Sequence, residues 1–390
     1  MQAEKIRMSL MHSNFLNHFQ MYCTSLLNLR IHKKYPCIEK FMKSVIPRIN
    51  NFDLIRLLAA LLVVYEHSLV HLKIDNSIVM FFHGFLQYFP GVPIFFTVSG
   101  FLIFWAFDRN KDIKKYAINR ILRLYPALYV CLAITIGLLA FFATTPLFEN
   151  TDFYIWLICQ VSFFQFFTPE SLRFWGVGSP NGSLWTITVE VQFYILVPLI
   201  FLLMRKMKNW IVLTTLFAMS IMANFTLSLL PESTLQKISF VSIIPYLFNF
   251  LAGSIFYVFW GKLNRFVENK FMLWGLIYIA YILIFGELLG FGLQSYQMLT
   301  IFHPITAILL SCLTLSFAFS FNNISEKLLK HNDISYGVYI YHMLVVNTLV
   351  SLGYIGDVKY FILTFTITIF LACVSWKLIE KPSLSLKNRF

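Results

Sequence analysis

The sequence is poor in charge, and poorest in negative charge. Only 13% of its 390 residues are charged, 18 of them acidic against 31 basic. An ordinary soluble domain carries about twice that share of charge, so that class is excluded. The six cysteines (Cys23, Cys37, Cys131, Cys159, Cys312, Cys373) include no C-x-x-C pair and no even spacing. Four of them stand in apolar runs, where a free thiol behaves as a small hydrophobe. This excludes a disulfide framework and a cysteine metal site. An apolar h-region with a small-residue cleavage site is also missing from the first residues, so no cleavable signal peptide is expected.

What is there is apolar: 58% hydrophobic and 18% aromatic residues. The expected fold is all-α, a polytopic integral membrane protein of about ten transmembrane helices. Their segments lie near 52–71, 91–107, 124–143, 184–204, 210–230, 240–260, 271–290, 299–320, 335–352 and 360–379. A shorter run at 153–167 reads as re-entrant or interfacial. With the N-terminus inside, 27 of the 31 lysines and arginines fall on the inner side, leaving only Lys73, Arg173, Lys237 and Lys359 outside. That bias puts both termini in the cytoplasm and the 144–183 loop outside. It also accounts for the formal charge of +13 without a nucleic-acid partner. Residues 1–50 read as a basic cytoplasmic tail, either a membrane-surface helix or a dispensable segment, with Met42 a natural alternative start. Residues 51–382 are the membrane domain and 383–390 a cytoplasmic C-terminal tail.

Ionisable groups inside such segments are expensive and mark function or specific pairing. The run Phe52–His71 carries Asp53, Arg56, Glu66, His67 and His71. Arg56 and His67 stand eleven positions apart, about three turns and roughly 16 Å along a helix, so they point to nearly the same side. A cation near the inner surface then shares a face with an imidazole well inside the membrane. Asp53 lies one turn from Arg56. In the second segment, Ser99–Gly100 is either a close-packing pair or part of a site. Arg120 and Arg123, three apart, present one cationic face just before the third segment. They serve either topology or the binding of a phosphate. Glu190 enters from outside and reaches roughly 9 Å depth, while His67 enters from inside and rises roughly 22 Å through a ~30 Å core. The two therefore match in depth, and a carboxylate beside an imidazole would orient a general base. The alternative pairs Glu190 with a structural arginine. His342, in ISYGVYIYH, is either a second site residue or a packed core histidine.

Six motifs in order carry a resemblance. They are R-x10-H in the first segment, GVPIFFTVSGFLI, RILRLYP, SLWTITVEVQFY, ISYGVYIYH and IEKP. From about 52 to 382 the chain resembles the acyltransferase 3 family of membrane acyltransferases. That family moves acyl groups, often acetyl, from cytoplasmic acyl-CoA to sugars of surface glycans. The resemblance implies acyl-CoA as donor, acetyl-CoA foremost, a glycan or lipid-linked sugar as acceptor, no metal, and a multi-pass location in the bacterial inner membrane among its lipids. It matches Arg56 and His67 to the family's essential pair, Arg120 and Arg123 to its R-x-x-R motif, and Glu190 to its acidic position. Asp53, Ser99, Trp185 and His342 complete the candidate lining. Two departures stand out: Val191 replaces a second acid, and Pro93 replaces the aspartate of the usual G-V-D motif. Some members add a hydrolase-like domain, and with Phe390 as the last residue the membrane domain is expected to act alone or with a partner. The expected chemistry has Arg120 and Arg123 on the phosphates, His67 as base and Glu190 orienting His67 or binding the sugar. Arg56 would then hold Asp53 or bind CoA. A proton-coupled transporter would use the same intramembrane histidine and glutamate, but no inverted repeat of the motifs is present.

Overall fold

The computed structural model describes residues 46–47, 50–294, 300–321 and 323–389, without the side chains of the last two. Every regular element among them is helical. Seven helices are long and apolar enough to cross a membrane, or eight if a bent pair counts as one span. The elements used below are α1 (Phe52–His71), α2 (Ser77–Leu86), α3 (Gly91–Arg109), α4 (Ile113–Phe142) and α5 (Thr151–Val161). They continue with α6 (Trp185–Lys206), α7 (Asn209–Leu229), α8 (Leu247–Val258), α9 (Trp260–Val267) and α10 (Phe271–Tyr281). The last three are α11 (Phe302–Ala318), α12 (Ser335–Ser351) and α13 (Val358–Ser375).

All ten apolar segments lie on helices, but not all as independent spans. Residues 244–258 and 260–267 form a pair bent by 106°. The bend comes where Lys262 and Arg265 enter the sequence, so the chain turns aside as its apolar run ends. Helices α11 and α12 have 17 residues each, at the short limit for a span. The run at 153–167 forms the 11-residue α5, too short to cross. The basic stretch before the third segment belongs to the same helix: α4 starts at Ile113, where the Asp112 side chain caps the Lys115 amide at 3.1 Å. Arg120 and Arg123 therefore ride on the helix. Of the expected tail 1–50, all but residues 46, 47 and 50 lies outside the described residues.

Burial ranks the helices. In α3, 67% of the apolar window is buried, against 17% for the span beginning with α10. So α3 is the central post, and α7, α10 and α13 turn apolar faces such as Met219, Leu276 and Phe370 outward to lipid. Between α3 and α8 two glycines let the backbones touch. A Cβ on Gly100 would lie 1.8 Å from the Phe250 carbonyl oxygen, and one on Gly253 would lie 2.0 Å from that of Thr97. Ser254 Oγ adds a hydrogen bond to the Gly100 carbonyl at 3.1 Å. Ser99–Gly100 is thus a packing pair on its glycine side.

Two asparagines staple the ends of the bundle. Asn51, buried, precedes α1 and donates from Nδ2 to the Ser320 carbonyl at 2.5 Å, beyond α11, while its Oδ1 accepts from the Ser325 amide at 3.0 Å. Asn347 on α12 accepts from the Val177 amide at 3.1 Å and donates to the Ser179 and Pro180 carbonyls at 2.8 and 3.0 Å. The latter ties the 144–183 connection onto α12.

Gly100→Ala should lower stability by about 2 kcal/mol or more, because the opposing atom is backbone and cannot move aside. Thermal unfolding in detergent measures this, with Gly137→Ala, which faces open space, as the control expected to unfold like the parent.

Candidate active site

Helices α1, α4 and α12 meet at Asp333, in the turn before α12. Its carboxylate accepts from the Arg123 guanidinium of α4 and lies 3.5 Å from Arg56 of α1. The Ser335 amide and hydroxyl hold its other oxygen at 3.2 and 2.5 Å. Asp333 is buried, and burial alone would push its carboxyl up. Arg123 and Arg56, helped by Ser335, outweigh that and hold it below the usual carboxylate range. Arg56 also reaches Asp53 at 3.6 Å, as its spacing on α1 predicts.

Arg120 sits one turn from Arg123 but in other surroundings. Its guanidinium carbon lies 5.9 Å from the Tyr116 ring and 5.6 Å from the Tyr194 ring. Its Nε is buried and has no hydrogen-bond partner. Nearby, the Glu190 carboxylate accepts from Tyr194 OH at 2.7 Å and Ser99 Oγ at 3.0 Å. Arg120, Tyr194, Glu190 and Ser99 thus form a chain of neighbours across α4, α6 and α3. Trp185, at the start of α6, packs on Tyr246 with ring centroids 5.3 Å apart. An open cavity of about 630 Å³ lies close to this end, lined by Ala106, Arg109, Asn110, Lys115, Asn119 and Lys387 among others. Its walls are basic and amide-bearing, from the end of α3, the start of α4 and the C-terminal segment.

His67 meets a different partner from the one its depth suggests. No hydrogen bond or ion pair joins it to Glu190, whose carboxylate faces Ser99 and Tyr194 instead. His67 Nδ1 lies 2.8 Å from His342 Nε2, with the rings stacked at 5.0 Å and 24°. His342 is fully buried on α12, whereas His67 keeps part of its surface open. His71, one turn on, has its ring centroid 5.6 Å from that of His67. Orienting His67, one of two roles the sequence left to Glu190, therefore has no geometry here.

The two departures from the family pattern have local explanations. Pro93 stands in the first turn of α3, where a missing N–H breaks no helical bond. Val191 is buried, 7% exposed, so a carboxylate there would have to be desolvated. Asp333, Tyr116 and Tyr194 are site residues that the sequence reading missed. Asp333 had a signal: an isolated acid just before the ISYG motif. Among the described residues, no group of three or more His, Cys, Asp or Glu could hold a metal ion.

Residues 49–379 match the acyltransferase domain family. The chain is 29% identical over 357 residues to Nodulation protein 10 of Rhizobium leguminosarum bv. viciae, covering 87% of this chain and 94% of that one. It is 27% identical over 344 residues to an O-acetyl transferase of Shigella phage Sf6, covering 86% and 96%. A shorter stretch of 139 residues is 33% identical to the peptidoglycan O-acetyltransferase OatA of Listeria monocytogenes, 31% of this chain and 21% of that one. No solved structure gives a significant match.

Asp333→Asn should leave two guanidinium groups facing a neutral amide in a buried site. The expected cost is about 3 kcal/mol, as when one partner of a buried pair is removed. Thermal unfolding in detergent checks it, and a parent-like midpoint would show the arginines find other partners.

Proposed function

The chain belongs to the acyltransferase domain family and is a helical, multi-pass acyltransferase; on that premise we propose a membrane O-acetyltransferase that uses acyl-CoA. The acceptor is a hydroxyl of a surface or lipid-linked glycan. The names of the phage and Listeria relatives, O-acetyl transfer and peptidoglycan O-acetyl transfer, support this class. The observation that carries the reading is the imidazole pair inside the helix bundle, one member buried and the other reachable. Membrane interiors do not keep such groups without use.

In this reading both termini, the tail 1–50 and segment 383–390 face the cytoplasm of a bacterial inner membrane, with 51–382 as the membrane domain. The count of about ten crossings then takes in α11, α12 and the bent pair. The donor enters from the arginine-rich side. The basic cavity with Arg109, Lys115 and Lys387 has the size of a nucleotide site. The buried, unpartnered Nε of Arg120 suits a phosphate oxygen. Arg123 belongs to the same anion-binding face but is largely committed to Asp333, and Arg56 with it, so these two chiefly set the geometry of that end. Asp53 keeps Arg56 in place.

The flexible pantetheine arm then brings the thioester up between the helices toward His67. His67 removes the proton from the acceptor hydroxyl, the oxygen attacks the thioester carbon, and the CoA thiolate leaves and takes a proton. Glu190, held by Ser99 and Tyr194, presents a hydrogen-bond acceptor for a sugar hydroxyl, with Trp185 near the outer end as a stacking surface.

Replacing the base tests this directly. His67→Gln should insert, fold and bind acetyl-CoA, yet lose transfer by at least ~10²-fold, the low end of general-base effects. Full transfer by that variant would overturn His67 as the base, whereas solute uptake by the parent with no acetyl-CoA consumption would favour a carrier instead.

The donor site is tested separately. Arg120→Ala should weaken acetyl-CoA binding by about 1.5–3 kcal/mol, and Arg120→Lys should restore only part, since it loses the fork. Acetyl-CoA supplied to the cytoplasmic face of inverted membrane vesicles should be consumed, and the same donor outside right-side-out vesicles should not. Equal use from both faces would contradict the orientation.

A further inference from the structure

We infer that His342 is a positioning residue, which holds His67 in the one tautomer that leaves Nε2 free to take a proton. The inference rests on the reading of His67 as the base, and it follows from hydrogen-bond direction. His342 Nδ1 lies 2.6 Å from the Tyr339 carbonyl oxygen. A carbonyl oxygen only accepts, so this nitrogen carries the hydrogen. In a neutral imidazole the other nitrogen is then a lone-pair acceptor. His342 Nε2 therefore accepts, and His67 Nδ1, 2.8 Å away, donates. His67 has one hydrogen to place, and it is now on Nδ1. Its Nε2 is left with a lone pair.

The chain has a fixed direction because its far end is backbone. Tyr339 is itself tied down: its hydroxyl donates to the Ser183 carbonyl at 3.0 Å and lies 2.6 Å from Thr186 Oγ1. Its ring also stands edge-on to Phe95 with centroids 5.5 Å apart. Burial divides the labour. His342 is 0% exposed and cannot meet a substrate, while His67 keeps an open side. The buried histidine is the support and the accessible one is the reactive end.

The same geometry handles charge during transfer. As the acceptor O–H bond breaks, its proton forms an N–H bond at His67 Nε2, and the oxygen bonds to the thioester carbon. His67 is now an imidazolium, and its Nδ1 hydrogen points at the His342 lone pair. That hydrogen bond becomes charge-assisted and stabilises the cation without a carboxylate. When the C–S bond breaks, the proton on Nε2 passes to the departing thiolate and both rings are neutral again. Acceptor hydroxyl and thioester become ester and thiol, with no proton gained or lost overall. This arrangement gives the role usually filled by an acid to a second imidazole, consistent with Glu190 lying elsewhere.

Full-length protein in detergent, with acetyl-CoA as donor and water as acceptor, provides the test through thiol release. His342→Phe should lower kcat by about 10-fold or more, the lower bound set by losing a histidine's orienting partner, with KM for acetyl-CoA unchanged. His342→Gln has an amide oxygen that can accept from His67 Nδ1, so it should retain more activity than His342→Phe. A packing role predicts the reverse order, because phenylalanine fits a dry core better. Nitrogen NMR of histidine-labelled parent protein, with the His67 signals identified by their loss in His67→Gln, should show hydrogen on Nδ1 and none on Nε2. Hydrogen on Nε2, or unchanged kcat in His342→Phe, would overturn the inference while leaving His67 as the base. Activity in His67→Gln would overturn the base itself.

Discussion

One carboxylate holds one end of this bundle together. Asp333 faces Arg56 from α1 and Arg123 from α4, and its own turn leads straight into α12. Neither arginine could sit at the edge of an apolar slab without an anion, and the anion could not be buried without them. The registers of α1, α4 and α12 are therefore coupled. His67 is eleven residues along α1 from Arg56, and His342 is nine residues along α12 from Asp333. Fixing one end of both helices brings the two imidazoles to the same level, where they meet at 2.8 Å.

The rest of the chain supports that arrangement in layers. Helix α3 runs through the centre and is pressed against α8 by glycine-to-backbone contacts. Helices with little burial, such as α7 and α10, surround it and face lipid. The 144–183 connection is drawn onto α12 by Asn347 and by Asn181, which donates to the Ile340 carbonyl two residues before His342. Many polar groups in the bundle interior are paired with one another or with backbone. The Nε of Arg120 is one of several buried polar atoms without a partner, and a phosphate oxygen answers it in the proposed reaction.

The resemblance to membrane acyltransferases and the matches to named O-acetyl transferases agree on the class of chemistry. The departures within the motifs are instructive. With Val191 buried in place of a second acid, a mechanism based on two adjacent carboxylates has no foundation here. A histidine pair needs none, since an imidazole lone pair can orient and stabilise its neighbour.

Much was legible in the sequence. Hydropathy marked the helical segments, because the bilayer demands long apolar runs. The R-x10-H spacing put Arg56 and His67 on one face, because helical periodicity is local. The Arg56–Asp53 pair and the close packing at Gly100 follow from the same local rules. Depth, however, is only one coordinate. Matching His67 with Glu190 by depth ignored where each helix stands around the bundle, and the structure gives Glu190 to Ser99 and Tyr194. The joining of Arg123 to Asp333 spans 210 residues and that of His67 to His342 spans 275. Periodicity determined which faces the side chains occupy; only the packing of non-adjacent helices decided which faces meet, because that depends on the shapes and polar demands of all of them at once.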